Sequence, residues 1–159
     1  MIISERRADN RVFTQSVGVL SGSFDPLHPG HIEFMQAAKR HADIVVVGIH
    51  TDEWLDHKKG SSFQPFYDRL RLVEAVKYVD VAMGFDDDDQ SLLETVERMF
   101  PDKKITHLSG GSKHLSVTLA QWCSSRGIGV KTAVGGASKW DTSETLLANW
   151  TAFRKKVPF

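Results

Sequence analysis

The chain has a single cysteine, Cys123, in 159 residues, so no disulfide can close within it and a disulfide-stapled scaffold is excluded. It has no surplus of either charge, since 20 Lys and Arg balance 20 Asp and Glu. Coating nucleic acid or an anionic membrane requires a cationic excess, so neither partner is expected. No run approaches the roughly 18 apolar residues that cross a bilayer. Residues 1–15 mix Glu5, Arg6, Arg7, Asp9 and Arg11 and hold no apolar stretch of the kind a secretory signal needs. A soluble, cytoplasmic protein is the expectation that remains. What the chain does have is apolar bulk: 41% hydrophobic residues, with nine Phe and four Trp, suffice for one core.

The hydrophobic pattern alternates between short apolar runs and helical periods. The run at 16–21 precedes a Gly/Pro-bearing loop and a helix-like stretch over about 30–41. Ile44, Val45, Val46, Val47, Gly48 and Ile49 then form a nearly continuous β-branched run, which reads as a buried parallel strand. Residues 50–64 read as a polar loop. Phe66, Leu70, Val73 and Val76 recur at helical spacing. Further strands are expected over 78–85, 105–108 and 128–134, and helices over 90–100, 115–125 and 142–155. Five such alternations predict one α/β domain, a Rossmann-like, doubly wound parallel sheet of five strands spanning 16–152. A polar arm (1–15) and a basic tail (153–159, with Arg154, Lys155 and Lys156) would flank it. In such sheets ligands bind beyond the carboxyl ends of the strands, where the strand order reverses.

The loop after the first strand reads Gly22-Ser23-Phe24-Asp25-Pro26-Leu27-His28-Pro29-Gly30-His31. A glycine turn that leaves a strand and enters a helix suits phosphate, through backbone N–H groups and the helix amino end. Two imidazoles flank the junction, and each can donate to an oxygen that gains charge during reaction. Reading them as zinc ligands would need a third ligand at a recognisable spacing, and none is found.

This string resembles the signature of the nucleotidylyltransferase superfamily: a small glycine turn, Ser or Thr, Phe, Asp, then His-x-Gly-His. The resemblance implies transfer of a nucleotidyl group from CTP or ATP, with Mg²⁺, to a small phosphorylated acceptor. It assigns His28 and His31 to catalysis, and Gly22, Ser23, Phe24, Asp25 and Gly30 to the nucleotide. The order of the second strand, Thr51-Asp52-Glu53, Lys58-Lys59 and the next helix is similar to the glycerol-3-phosphate cytidylyltransferase type. That likeness makes Lys58 a phosphate contact, while Lys59 is read as a solvated charge. Arg69 sits in the first turn of a helix, where the macrodipole disfavours a cation, and points near the apolar Val73–Val76 side. Phe66-Tyr67-Asp68-Arg69 and Tyr78-Val79-Asp80 resemble the family's Tyr-Glu-x-Arg helix and Tyr-Val-Asp strand, so Arg69 joins the catalytic set or a dimer contact. Lys77 ranks lower.

Gly110-Gly111 resembles the family's glycine pair beside base and ribose, although Ser112 stands where relatives place an acid. Thr142 and Ser143 match the hydroxyls that open the family's last helix. Asp141 reads as an ordinary N-cap, and Lys139 does not align cleanly. The run Asp86–Asp89 reads as a solvated surface feature, with no dedicated metal site. Trp122, Trp150 and Phe153 read as helix core or interface. The likeness places a cytidylyl transfer to a phosphorylated alcohol, polyol or sugar first. Adenylyl transfer to a sugar phosphate or coenzyme precursor is the alternative, and a non-catalytic nucleotide-binding module is the reading from another class. Relatives are commonly homodimers, so a homodimer is expected here.

Overall fold

The computed structural model describes residues 15–110, 115–135 and 142–157. Five strands, β1 (Ser16–Gly22), β2 (Ile44–His50), β3 (Val81–Phe85), β4 (Lys104–Gly110) and β5 (Gly129–Val134), form one sheet. Their order is β3-β2-β1-β4-β5 and every pairing is parallel. The chain therefore winds outward from β1 to β3 and then returns to add β4 on the other side of β1. That reversal leaves a crevice at the carboxyl ends of β1 and β4, where ligands of such sheets bind. The single α/β domain with a five-stranded parallel sheet is as the alternating pattern predicts.

Burial explains the composition of the strands. All of β2 after Ile44 is buried, because helices cover both faces of the sheet, and this is why its apolar run does not alternate. On one face, Leu20, Val45, Val47 and Ile49 pack with Met35, Ala37 and Ala38 of α1 (Pro29–His41) and Val73 of α3 (Phe66–Glu74). On the other, Val17, Val19, Val46 and Ile105 meet Leu92, Leu93 and Val96 of α4 (Gln90–Met99). Leu119 and Cys123 of α5 (Val117–Ser125) complete that layer. Each of these large aliphatic side chains contributes roughly 1.5–3 kcal/mol of transfer free energy. Close approach of α4 requires a glycine at position 48, where a Cβ would stand 2.3 Å from Leu92 Cδ2.

The structure departs from the pattern in four places. Residues 50–64 are not all loop, because Asp52–Lys59 form α2. Only Leu55 of α2 is buried, so the helix leaves no apolar period, yet its end signals are complete. Thr51 caps the amino end, acids fill the first turn, bases fill the last, and Gly60 closes it in the left-handed region at φ 91°. The third strand begins at Val81, later than expected. Asp80 accepts from Val45 N at 2.7 Å and from Lys39 Nζ at 2.5 Å, which fixes the segment before β3 as a turn.

The acidic run is the third departure. Asp87 accepts from Ser91 N at 2.9 Å at the start of α4, and Asp86 accepts from the Thr51 hydroxyl. Asp89 turns inward to His107 Nε2 at 3.1 Å, while Asp86 and Asp88 remain exposed in keeping with the solvated reading. Last, the basic tail is continuous with α6 (Ser143–Lys156), so residues 153–156 are helical. No helix among the described residues is long and apolar enough to cross a membrane.

Candidate active site

The motif loop leaves β1 at the crevice and enters α1 through His28, which caps the helix in extended geometry. His28 Nδ1 accepts from Gly30 N at 3.1 Å, and His31 Nδ1 accepts from His28 N at 3.3 Å. The two rings lie stacked, 3.7 Å between centroids. These two bonds decide the tautomer, since a ring nitrogen that accepts carries no proton, and each neutral imidazole must then hold its hydrogen on Nε2. The loop thus orients two Nε2–H donors. It also changes the expected role of the backbone: Gly30 N is taken by His28, and His31 N bonds His28 O at 3.0 Å. Those amides do not serve a phosphate in this state.

Phe24 and Asp25, expected at the nucleotide, make close contacts within the protein. Phe24 is 2% exposed, adopts φ 51°, and meets the His31 ring edge-on at 4.9 Å. Its ring lies so close to Gly22 that a Cβ there would stand 3.0 Å from it, so a larger residue at position 22 would have to push the ring aside. The Asp25 carboxylate accepts from Phe63 N at 2.7 Å and Gln64 N at 2.8 Å. It pins the loop that leads into α3 against the motif.

Arg69 explains its own misplacement on the helix. It is fully buried, and Nη1 donates to Ser23 O at 2.8 Å and to His50 O at 2.7 Å. Nε donates to Gln64 O at 2.9 Å, and Nη2 pairs with Asp52 Oδ1 at 2.7 Å. One guanidinium therefore joins the motif loop, the end of β2, the start of α2 and the segment before α3. Fully buried and with its nitrogens committed in this way, Arg69, expected in the catalytic set, holds these loops together in this structure. Asp52 Oδ2 also accepts from Phe66 N at 3.0 Å, replacing the side-chain cap that Pro65 cannot give. Partial burial opposes the charge on Asp52, but the Phe66 N–H and Arg69 outweigh it and hold the carboxyl below 3.8.

Lys58 lies in the last turn of α2, with its ammonium 5.5 Å above the centre of the Trp54 ring. Lys59 is not merely solvated, since it pairs with Glu144 of α6 at 3.3 Å. A second tie brings α6 to the motif, as Ser143 Oγ donates to Pro26 O at 3.0 Å across 117 positions of sequence. Thr142 caps α6 by accepting from Thr145 N at 3.2 Å. Both hydroxyls expected at the nucleotide are thus engaged in holding the helix at the rim. Gly110 ends β4, where a Cβ would stand 3.3 Å from the Phe34 ring of α1, a tight contact. Gly111, Ser112, Lys139 and Asp141 lie outside the described residues.

Sequence reasoning missed Asp52, the His50–Trp54 stack, and the Asp89–His107 pair behind β1. Burial disfavours the charge on Asp89, but hydrogen bonds from His107 and Ser21 and attraction from both His107 and His50 prevail, so its carboxyl titrates below the ordinary value. Among the described residues, no three His, Cys, Asp or Glu side chains meet as a metal cage. Asp25, three residues before His28, is engaged with the backbone amides of Phe63 and Gln64.

The family model described as cytidylyltransferase-like matches residues 19–122, more than half of the chain. The chain is 37% identical over 84 residues to the FAD synthase of Ferroglobus placidus, a match covering 53% of each. It is 34% identical over 88 residues to the bifunctional protein HldE of Gluconacetobacter diazotrophicus, covering 54% of this chain and 18% of that protein. It thus spans about half the length of the first relative and under a fifth of the second. The crystal structure of a lipopolysaccharide core biosynthesis protein from Thermoplasma volcanium superposes with a TM-score of 0.62 at 26% identity, covering 80% of this chain and 99% of that one. With its first-loop motif, its doubly wound sheet and this match, the chain belongs to the cytidylyltransferase-like family.

Proposed function

We propose that the chain transfers an adenylyl group from ATP, entering as its Mg²⁺ complex, to the phosphate of a small acceptor with release of pyrophosphate. The observation that carries this reading is the His28–His31 pair, whose reciprocal Nδ1 bonds orient two Nε2–H donors at the amino end of α1. An acceptor phosphate oxygen attacks the α-phosphorus in line. The bond from that phosphorus to the bridging oxygen breaks, and its electron pair leaves with pyrophosphate. The attacking oxygen is already ionised at neutral pH, so no general base is needed. What the site must supply is positioning, and donors where charge builds on the α-phosphate and the leaving group. The imidazoles face the first need for donors and Lys58 the second, with Arg69 and Asp25 holding the loops that carry them.

The FAD synthase relative supports ATP over the CTP expected first, because FAD is an adenylyl group joined to a flavin phosphate. The test is pyrophosphate release with MgATP and MgCTP against glycerol 3-phosphate, heptose and ribitol phosphates, phosphocholine, phosphopantetheine, flavin mononucleotide and nicotinamide mononucleotide. Release with ATP and one acceptor is expected. Release with CTP alone would reverse the donor. ATP binding without release across the panel would favour the non-catalytic module.

A further inference from the structure

The end of β2 carries a column of rings that the motif reading leaves unexplained. Phe85, 5% exposed at the end of β3, lies 4.2 Å from the ring of His50, the last residue of β2. His50 is itself 8% exposed, and the indole of Trp54 lies flat against its ring, with centroids 3.5 Å apart and planes 5° from parallel. Trp54 and Lys58 are one helical turn apart on α2, and the ammonium stands over the indole at 5.5 Å. The foot of the column is fixed to the motif. Arg69 Nη1 donates to both His50 O and Ser23 O, so a single nitrogen joins the ring stack to the loop that presents His28 and His31.

A lysine in the last turn of a surface helix ordinarily samples many rotamers, and ordering it against a ligand costs entropy. A cation held over an indole face is restrained before the ligand arrives, because the ring's negative quadrupole attracts it. Preorganisation of that kind appears as affinity for the ligand rather than as stability of the fold. We propose that Trp54, seated on His50, is a positioning residue that holds Lys58 over the carboxyl end of β2, ready for the triphosphate. This rests on the reading of Lys58 as a phosphate contact, and it assigns the tryptophan a role that does not involve stacking on a base.

The test is a double-mutant cycle read as MgATP affinity by calorimetry, on the full chain and without any acceptor. Trp54→Leu is expected to weaken MgATP binding about threefold to tenfold, the size of a restrained cation–π contact. Trp54→Phe, which keeps an aromatic face, should recover most of that loss. In a Lys58→Met background, Trp54→Leu should produce no further change. An equal loss in both backgrounds, or a Trp54→Phe variant as weak as Trp54→Leu, would overturn the proposal. Unchanged MgATP affinity in Lys58→Met alone would remove the phosphate role of Lys58 itself, and the proposal with it. That failure is distinguishable, because it is seen with Trp54 intact.

A second readout is taken on the free protein, without any nucleotide. Lys58→Met should shift the tryptophan emission of the free protein, and the shift should vanish in a Trp54→Phe background. The same shift in both backgrounds, or none in either, would refute the contact.

Discussion

Replacing Arg69 is the most informative perturbation of the scaffold. Its guanidinium makes four hydrogen bonds, to Ser23 O, His50 O, Gln64 O and Asp52 Oδ1, from a fully buried position. Arg69→Met fills much of the volume but removes all of them. Orphaning a buried acceptor costs about 1–3 kcal/mol, and His50 O is the most deeply buried of the three carbonyls. Asp52 is 40% exposed on its side chain, so it can rehydrate and adds little. The expected loss is about 3–5 kcal/mol, the range for breaking a buried charged network from one side. That is a large share of the roughly 5–15 kcal/mol that holds a domain folded.

Arg69→Lys keeps the charge but loses the planar fork, so it should recover only part of the stability. Urea unfolding of both variants, alongside MgATP affinity, measures the effect. A loss below about 1 kcal/mol for Arg69→Met would refute the reasoning, since even one orphaned carbonyl should cost that much. An Arg69→Lys variant with full stability but no turnover would make the guanidinium a substrate contact, against the positioning role.

Three further predictions follow from the same geometry. His28→Ala and His31→Ala should each lower turnover at least about a hundredfold, the usual effect of removing a transition-state donor, with smaller changes in nucleotide affinity; unchanged turnover in both would remove the imidazoles from the mechanism. Asp43, held low mainly by the Ser16 N–H and hydroxyl, and Asp52 and Asp89, held low against burial, all titrate below 3.8 when folded. Between the folded and unfolded values the unfolded chain binds more protons, so their contribution is present above pH 3.8 and lost as the pH falls through the lower folded values. Melting temperature followed from pH 6 to pH 3 should therefore fall on the acid side, and a rise on acidification would contradict the shifts. Gly48→Ala would force a Cβ to within 2.3 Å of Leu92, and overpacking of this kind costs about 1–3 kcal/mol, measurable as a lower urea midpoint.

Much of this molecule is legible in its sequence because local and global signals agree. The apolar run of β2 betrays a strand buried on both faces, and the first-loop motif falls where a parallel sheet places its ligands. The local conflict at Arg69 is also visible, since a cation in a first turn facing apolar neighbours calls for a partner. Which partner is not legible, because Ser23 O, His50 O and Gln64 O are backbone atoms that leave no trace in residue identity.

The same limit hides the structural roles of Phe24 and Asp25, whose residue types suit a core or a ligand equally well. Helix α2 escapes the periodicity test because it buries Leu55 alone, although its caps announce it. The acidic run shows four identical side chains with different fates. Position relative to Ser91 N, Thr51 and His107 decides those fates, and composition does not. The tie from Ser143 to Pro26 spans 117 residues, beyond any local pattern.

The most direct test of the central claim follows the label. Incubation with ATP carrying a radioactive α-phosphate, in the presence of the acceptor panel, should place the label in a new phosphodiester product. ATP labelled at the γ-position should yield labelled pyrophosphate, and both signals should be lost in His31→Ala. Label from the γ-position appearing as inorganic phosphate or on the acceptor, with the α-label remaining in the nucleoside diphosphate, would mean that the bond broken is the terminal one. That result would contradict nucleotidyl transfer at this site.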